Sequence, residues 1–315
     1  MKGQQELGVK GSYSLRVFKE NGSEVNDKYV PFVQNVITDH GIQEQILDTS
    51  LFSGRVRGAV GKGTTAISQT SASLNNLFKS TPTTNDGGVA THTDNGDGTV
   101  TSSGIFKRSF SIGDFTGDTI SEVGIVDGFG STLHAGQLIK DSSSNPTTIT
   151  VLSDEQLVIE YVIEVTSWFT RQELDSFNLT VNGITTTARL FVNPYLRDSN
   201  LSNGDVVTIF SGPRPDRIAF GDSTTFELFA IANFGVSWSV NGNVATLPFN
   251  YTASPSDFNT TDLKYIPIGS FDTLDPTDPF QEDHSFVLIF DTPVEKTSSQ
   301  AITIDFSVDV TATRL

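Results

Sequence analysis

The sequence predicts an all-β protein: two tandem, internally repeated antiparallel β-sandwich domains of jelly-roll-like form, residues 1–167 and 168–315. Three observations predict it. Thr, Ser, Asn, Gly and Asp dominate while helix formers are sparse, the profile of strands joined by many turns. Two stretches, Leu157–Val165 and Ile302–Val310, alternate apolar and polar residues with period two. Several blocks of the first half recur in the same order in the second.

Taken in order, Ser12–Phe18 reads as a strand, and Glu20-Asn-Gly-Ser23 as the turn that ends it. Thr38–Leu47 reads as a short helix, with Ile42, Ile46 and Leu47 on one face and Asp39 as its cap. The next stretch, Arg57-Gly-Ala-Val-Gly-Lys-Gly-Thr-Thr-Ala66, has the look of a phosphate cradle, but its spacing is wrong. A P-loop needs a glycine, four residues and then Gly-Lys-Ser/Thr opening a helix. Here Gly63 follows Lys62, Val56 stands where the first glycine belongs, and Ala66–Ser71 lacks helical spacing. From Ser80 to Ser103 the chain is polar, and Asp94-Asn-Gly-Asp-Gly98 suggests half a calcium loop. Thr93 occupies the first ligand position and no glutamate follows at the right distance, so a hairpin is expected, with Val89–His92 facing Thr99–Thr101 and the segment projecting as an arm.

In Leu157–Val165 the residues Leu157, Ile159, Tyr161, Ile163 and Val165 share one face, with Glu160 and Glu164 on the other. Ile302–Val310 matches it position for position: Ile302, Ile304, Phe306, Val308 and Val310 inward, Asp305 and Asp309 outward. Asp114–Ile125 resembles Asp257–Ile268, Arg57–Ala66 resembles Arg217–Phe226, and Asn21-Gly22 precedes its block as Asn182-Gly183 does. The copies meet near Ser167–Thr170. In the second copy Lys62 becomes Asp222 and Gly63 becomes Ser223. A phosphate site would not survive that reversal of charge, whereas a turn would, with Gly61 and Gly221 kept for a positive-φ position.

The succession Asn35–Gly41, Ala59–Thr65 with Leu74 downstream, Phe106–Phe110, Ile120–Ile125 and Leu157–Tyr161 resembles β-sandwich modules of tailed-bacteriophage tail, tail-fibre and baseplate-associated proteins. The resemblance spans roughly residues 10–166 and, weakly, the second half. It implies a structural virion component acting by oligomeric assembly through β surfaces. Its partners would be other copies of itself and neighbouring virion proteins. The alternatives are a capsid, turret or decoration protein of the phage head, or a carbohydrate-recognising receptor-binding protein that meets a host surface glycan. Only Trp168 and Trp238 are present as tryptophans, which favours assembly over sugar binding.

The charge and the residue inventory agree with that expectation. A net charge of −17 opposes binding to nucleic acid and to anionic membranes. The absence of cysteine excludes disulfides and thiolate chemistry. The start, M-K-G-Q-Q-E-L-G, has no apolar run, so no signal peptide is expected; the protein would be made in the host cytoplasm and end in the virion. The longest apolar run, Phe286–Phe290, is far short of a membrane span. No catalytic, cofactor-binding or metal residue is assigned, and the expectation is that the protein is not an enzyme. Gly221-Asp222-Ser223 lacks the downstream Asp and His of the hydrolase block it echoes, and no Gly-x-Ser-x-Gly occurs. His40, His92, His134 and His284 are scattered and read as surface or turn residues. Asp272, Asp275, Asp278, Glu282 and Asp283 offer oxygen ligands for a hard cation, but Pro276 and Pro279 break them into turns, which fits a solvated loop better.

Overall fold

The computed structural model describes residues 2–47, 56–83, 90–130, 132–168, 172–181, 183–192, 217–221, 226–230, 239–253, 255, 260–269 and 284–315. The cluster from Asp272 to Asp283 and the Asp222-Ser223 pair lie outside them. Among the described residues the chain is nearly all β, with one α-helix. The strands of the first half are β1 (Lys2–Lys19), β2 (Val30–Gln34), β3 (Val36–Ile37), β4 (Arg57–Gly61), β5 (Leu77–Thr81), β6 (Ala90–Asp94), β7 (Thr99–Phe110), β8 (Asp118–Ile120), β9 (Glu122–Val126), β10 (Leu133–Leu138), β11 (Ile149–Val151) and β12 (Glu155–Trp168). Those of the second are β13 (Gln172–Val181), β14 (Ile184–Val192), β15 (Arg217–Gly221), β16 (Phe226–Ala230), β17 (Ser239–Asn241), β18 (Val244–Ala253), β19 (Thr260–Gly269), β20 (His284–Lys296) and β21 (Ile302–Arg314). The helix α1 spans Asp39–Leu47.

An eight-stranded sheet runs β17-β18-β21-β1-β12-β7-β6, with β2 also on β1. The period-two pattern explains its centre. Tyr13, Leu15 and Val17 of β1 stand opposite Tyr161, Ile159 and Leu157 of β12, and Tyr161 stands opposite Phe106 of β7. All of these side chains are buried. Burying each is favourable by about 1.5–3 kcal/mol, and a register slip of one residue would turn the whole set to solvent. Glu160 and Glu164, on the other face, are half-buried and pair with Lys107 at 3.0 Å and Lys10 at 3.5 Å.

A five-stranded sheet, β3-β10-β9-β4-β5, lies across this one in the manner of a sandwich. The Tyr13 hydroxyl donates to the Leu138 carbonyl at 3.0 Å, and Arg108 Nε donates to the Val56 carbonyl at 3.0 Å. At Gly58 the layers approach so closely that a Cβ would sit 2.7 Å from the Cβ of Arg108. The strands β11 and β8 form a separate pair. The second half contributes a six-stranded sheet, β13-β14-β20-β19-β15-β16, whose Ala188, Leu190, Leu263, Ile266, Leu288 and Phe290 join the same apolar cluster as the first half.

The halves also share a sheet. Lys2–Val9 of β1 pairs in parallel with Ser307–Arg314 of β21, while Gly8–Lys19 pairs antiparallel with β12. Three local expectations change. Thr38, not Asp39, caps the helix: its hydroxyl accepts the Gly41 N–H at 3.0 Å, and Asp39 instead meets Arg314. The polar hairpin forms in another register, with His92 opposite Ser102 and Asp94 opposite Val100, and Thr99–Ser103 is no detached arm because β7 pairs along its length with β12. Asp305 is exposed as expected, whereas Asp309 is buried, its Oδ1 accepting from the Thr246 hydroxyl at 2.7 Å.

Candidate functional site

Three places bring polar chemistry together, and the glycine–lysine stretch is the first. β4 pairs with β9 so that Gly61 stands opposite Glu122. The Glu122 carboxylate is fully buried. Its Oε2 accepts the N–H groups of Gly63 at 2.9 Å and Asn76 at 3.1 Å, and its Oε1 accepts the N–H of Asn75 at 3.0 Å and Asn75 Nδ2 at 2.7 Å. The Ser121 hydroxyl donates to the Gly63 carbonyl at 2.6 Å. Gly63 together with Asn75 and Asn76 therefore forms an anion cradle, and the anion is the protein's own. Such charge-assisted bonds are about twice as strong as neutral ones, which is what holds a buried carboxylate in place.

The glycines serve space rather than dihedral freedom, contrary to the positive-φ expectation at Gly61. Gly61 and Gly63 do not adopt positive φ, but a Cβ on Gly63 would lie 2.6 Å from the carboxylate and one on Gly61 2.8 Å from the Asn76 carbonyl oxygen. Lys62 is committed elsewhere. Its ammonium lies 2.9 Å from Asp118 and 3.6 Å from the centroid of the Phe78 ring. The Lys62 hydrogen bond holds the Asp118 carboxyl below its ordinary range.

The second place is a histidine pair. His40 of α1 and His134 of β10 have ring centroids 5.1 Å apart. His134 is no surface residue: it is 2% exposed, and neither ring nitrogen has a hydrogen-bond partner. Burial, reinforced by His40 and opposed by Asp127, pushes its pKa down to about 4. Period two does not mark this residue, because Leu133, His134 and Ala135 are all buried in succession, with the His134 ring beside His40 of α1.

The third is a groove of about 620 Å³ where β1 passes from β21 to β2, lined by Gly11, Gln34, Asn35, Gln69 and Arg314 among others. Arg314 Nε donates to the Ile37 carbonyl at 2.8 Å and its Nη2 meets Asp39 at 2.5 Å, tying β21 to the start of α1. Asn35 Oδ1 and the buried Tyr161 hydroxyl converge where Gly11 lacks a Cβ.

The remaining candidates stay apart. In the Asp94–Gly98 turn, Asp94 accepts the Gly96 N–H at 2.8 Å and Asp97 accepts the Thr99 N–H at 2.9 Å, so both carboxylates shape the turn. Glu155, also buried, is held by Lys28 at 2.7 Å, Lys19 at 2.9 Å and the Leu152 N–H at 2.8 Å. Burial raises its pKa, but the Lys28, Leu152 and Lys19 hydrogen bonds outweigh that and bring it down to about 2. Among the described residues no three His, Asp or Glu side chains gather as a metal group, and no helix is long and apolar enough to cross a membrane. No known protein family, curated protein or solved structure matches the chain.

Proposed function

We propose that the protein is a non-enzymatic structural component of a tailed-phage virion, present in many copies in the tail, fibre or baseplate region. The observation that carries this reading is the use made of Glu122. The blocks Ala59–Thr65 and Ile120–Ile125, which resemble phage tail modules, meet at a carboxylate whose four donors are all from this chain. The motif thus does framework work and offers no reactive group. Sheet edges then supply assembly surfaces, since unpaired backbone groups on one copy can pair with the next. The acidic surface opposes premature association until local contacts form.

The same reading takes the halves as diverged copies of one sandwich, with boundaries near residues 167 and 168. Matching registers support it. Arg57 stands opposite Val126 and Gly61 opposite Glu122; Arg217 stands opposite Gly269 and Gly221 opposite Tyr265. Tyr161 stands opposite Phe106 in the ladder as Phe306 stands opposite Phe249. The order β3-β10-β9-β4-β5 parallels β14-β20-β19-β15-β16. Mass spectrometry of purified particles, together with the native mass of the isolated chain, tests the function. The expected result is the chain in the particles and a multimer in isolation.

A further inference from the structure

The two halves differ at one edge. In the first, β12 has β7 on one side and β1 of its own half on the other. In the second, β21 has β18 on the side that matches β7, but among the described residues no strand of its own half lies on the other side. The strand that corresponds to β1 by its place in the repeat, β13, pairs with β14 in the six-stranded sheet instead. The chain therefore carries an acceptor edge on β21. It also carries a donor. The ladder between β1 and β12 ends at Gly8, opposite Thr166, so Lys2–Leu7 extends beyond what its own half uses and pairs with β21 alone among the described strands.

That ladder is the one parallel pairing among the described strands, and parallel ladders are slightly weaker per residue than antiparallel ones. Leu7, opposite Ala312, is the arm's buried anchor; Glu6, opposite Thr311, is exposed. One donor and one acceptor per chain, on different halves, is the arrangement that a closed ring or a stack of copies requires.

We infer that in the assembled protein Lys2–Leu7 docks in parallel on β21 of a second copy, so that copies are linked by strand exchange. The inference rests on the assembly reading above. The ladder is the one seen within the chain, with Glu6 beside Thr311, and the contacts that Gly8, Val9, Gln34, Ile37 and Asp39 make with Thr313–Leu315 pass to the second copy with it.

The test uses E6C and T311C in separately tagged full-length chains that are co-expressed, oxidised and examined without reductant. The natural chain has no cysteine, so every disulfide reports on these two sites. Exchange predicts a covalent product carrying both tags, at twice the 34.0 kDa chain mass, in preference to products carrying one tag. Native mass, measured beside it, separates the failures. A multimer whose two-tag product is absent, while E6C/T311C on one chain closes within that chain, overturns the exchange and leaves assembly standing. A monomer overturns both.

Discussion

His134 gives the structure an acid-sensitive point whose size can be worked out. The folded protein holds this imidazole neutral, with a pKa of about 4 against an ordinary value of 6.5. A base whose pKa is depressed on folding contributes its full stability above the unfolded value and loses it as pH falls, because the unfolded chain takes up the proton first. Between about pH 7.5 and about pH 4.5 the loss comes to about 2.5 kcal/mol. The groups that face the ring are His40 from α1, which opposes its protonation, and Asp127, which favours it. Glu155 does not blur this window, since its contribution falls away only from 4.5 down towards 2. The perturbation is His134→Phe, an apolar ring of similar size with nothing to protonate. Urea unfolding of both proteins at the two pH values is the assay, and the difference between them should change by about 2.5 kcal/mol, with the variant gaining relative stability in acid. A change below about 0.5 kcal/mol would refute the burial of a neutral imidazole at this position.

The Glu122 cradle predicts a reversal of what a phosphate loop would show. Glu122→Ala takes away the acceptor of four donors, of which the buried Gly63 N–H is the one cut off from water, and should cost about 1–3 kcal/mol, and Gly63→Ala about 1–3 kcal/mol through the contact of its Cβ with the carboxylate. Lys62→Ala should cost no more than about 1 kcal/mol, as its ion pair is partly exposed, and added phosphate should not raise the melting temperature of any of the three. Tyr161→Ala should cost about 3–5 kcal/mol by chemical denaturation, while Tyr161→Phe, which deletes only the buried hydroxyl beside Asn35 Oδ1, should cost less than about 1.5 kcal/mol.

The parts of this fold legible in the sequence are those set by local periodicity. β12 shows its buried face in Leu157, Ile159, Tyr161, Ile163 and Val165, and the Asp94–Gly98 hairpin and the Asn21-Gly22 turn follow from residues suited to positive φ at Gly22, Gly96 and Gly98. What the sequence hides is contact between distant segments. Nothing in V-G-I marks the glutamate before it as a buried ligand of Gly63 and Asn75, because three of its four donors are backbone groups, brought there by the pairing of β4 with β9 and β5. Gly61 invites a dihedral explanation when the reason is space, since the Glu122 carboxylate and the Asn76 carbonyl oxygen fill the place of a Cβ. The pairing of Leu7 with Ala312 joins segments separated by nearly the whole chain, and no local pattern encodes a partner so remote. His134 reads as a turn residue until α1 is seen to cover it. As for function, the glycine–lysine stretch pointed to a framework role through its faulty P-loop spacing, but the carboxylate that fills it was not legible.

The measurement that tests the central claim most directly is electron microscopy of the intact phage particle with this chain located in the density. The account predicts symmetric, repeated copies in the tail, fibre or baseplate region, joined through β surfaces. Particles that lack the chain, together with a purified protein that is a monomer hydrolysing a polysaccharide or a nucleotide, would contradict it.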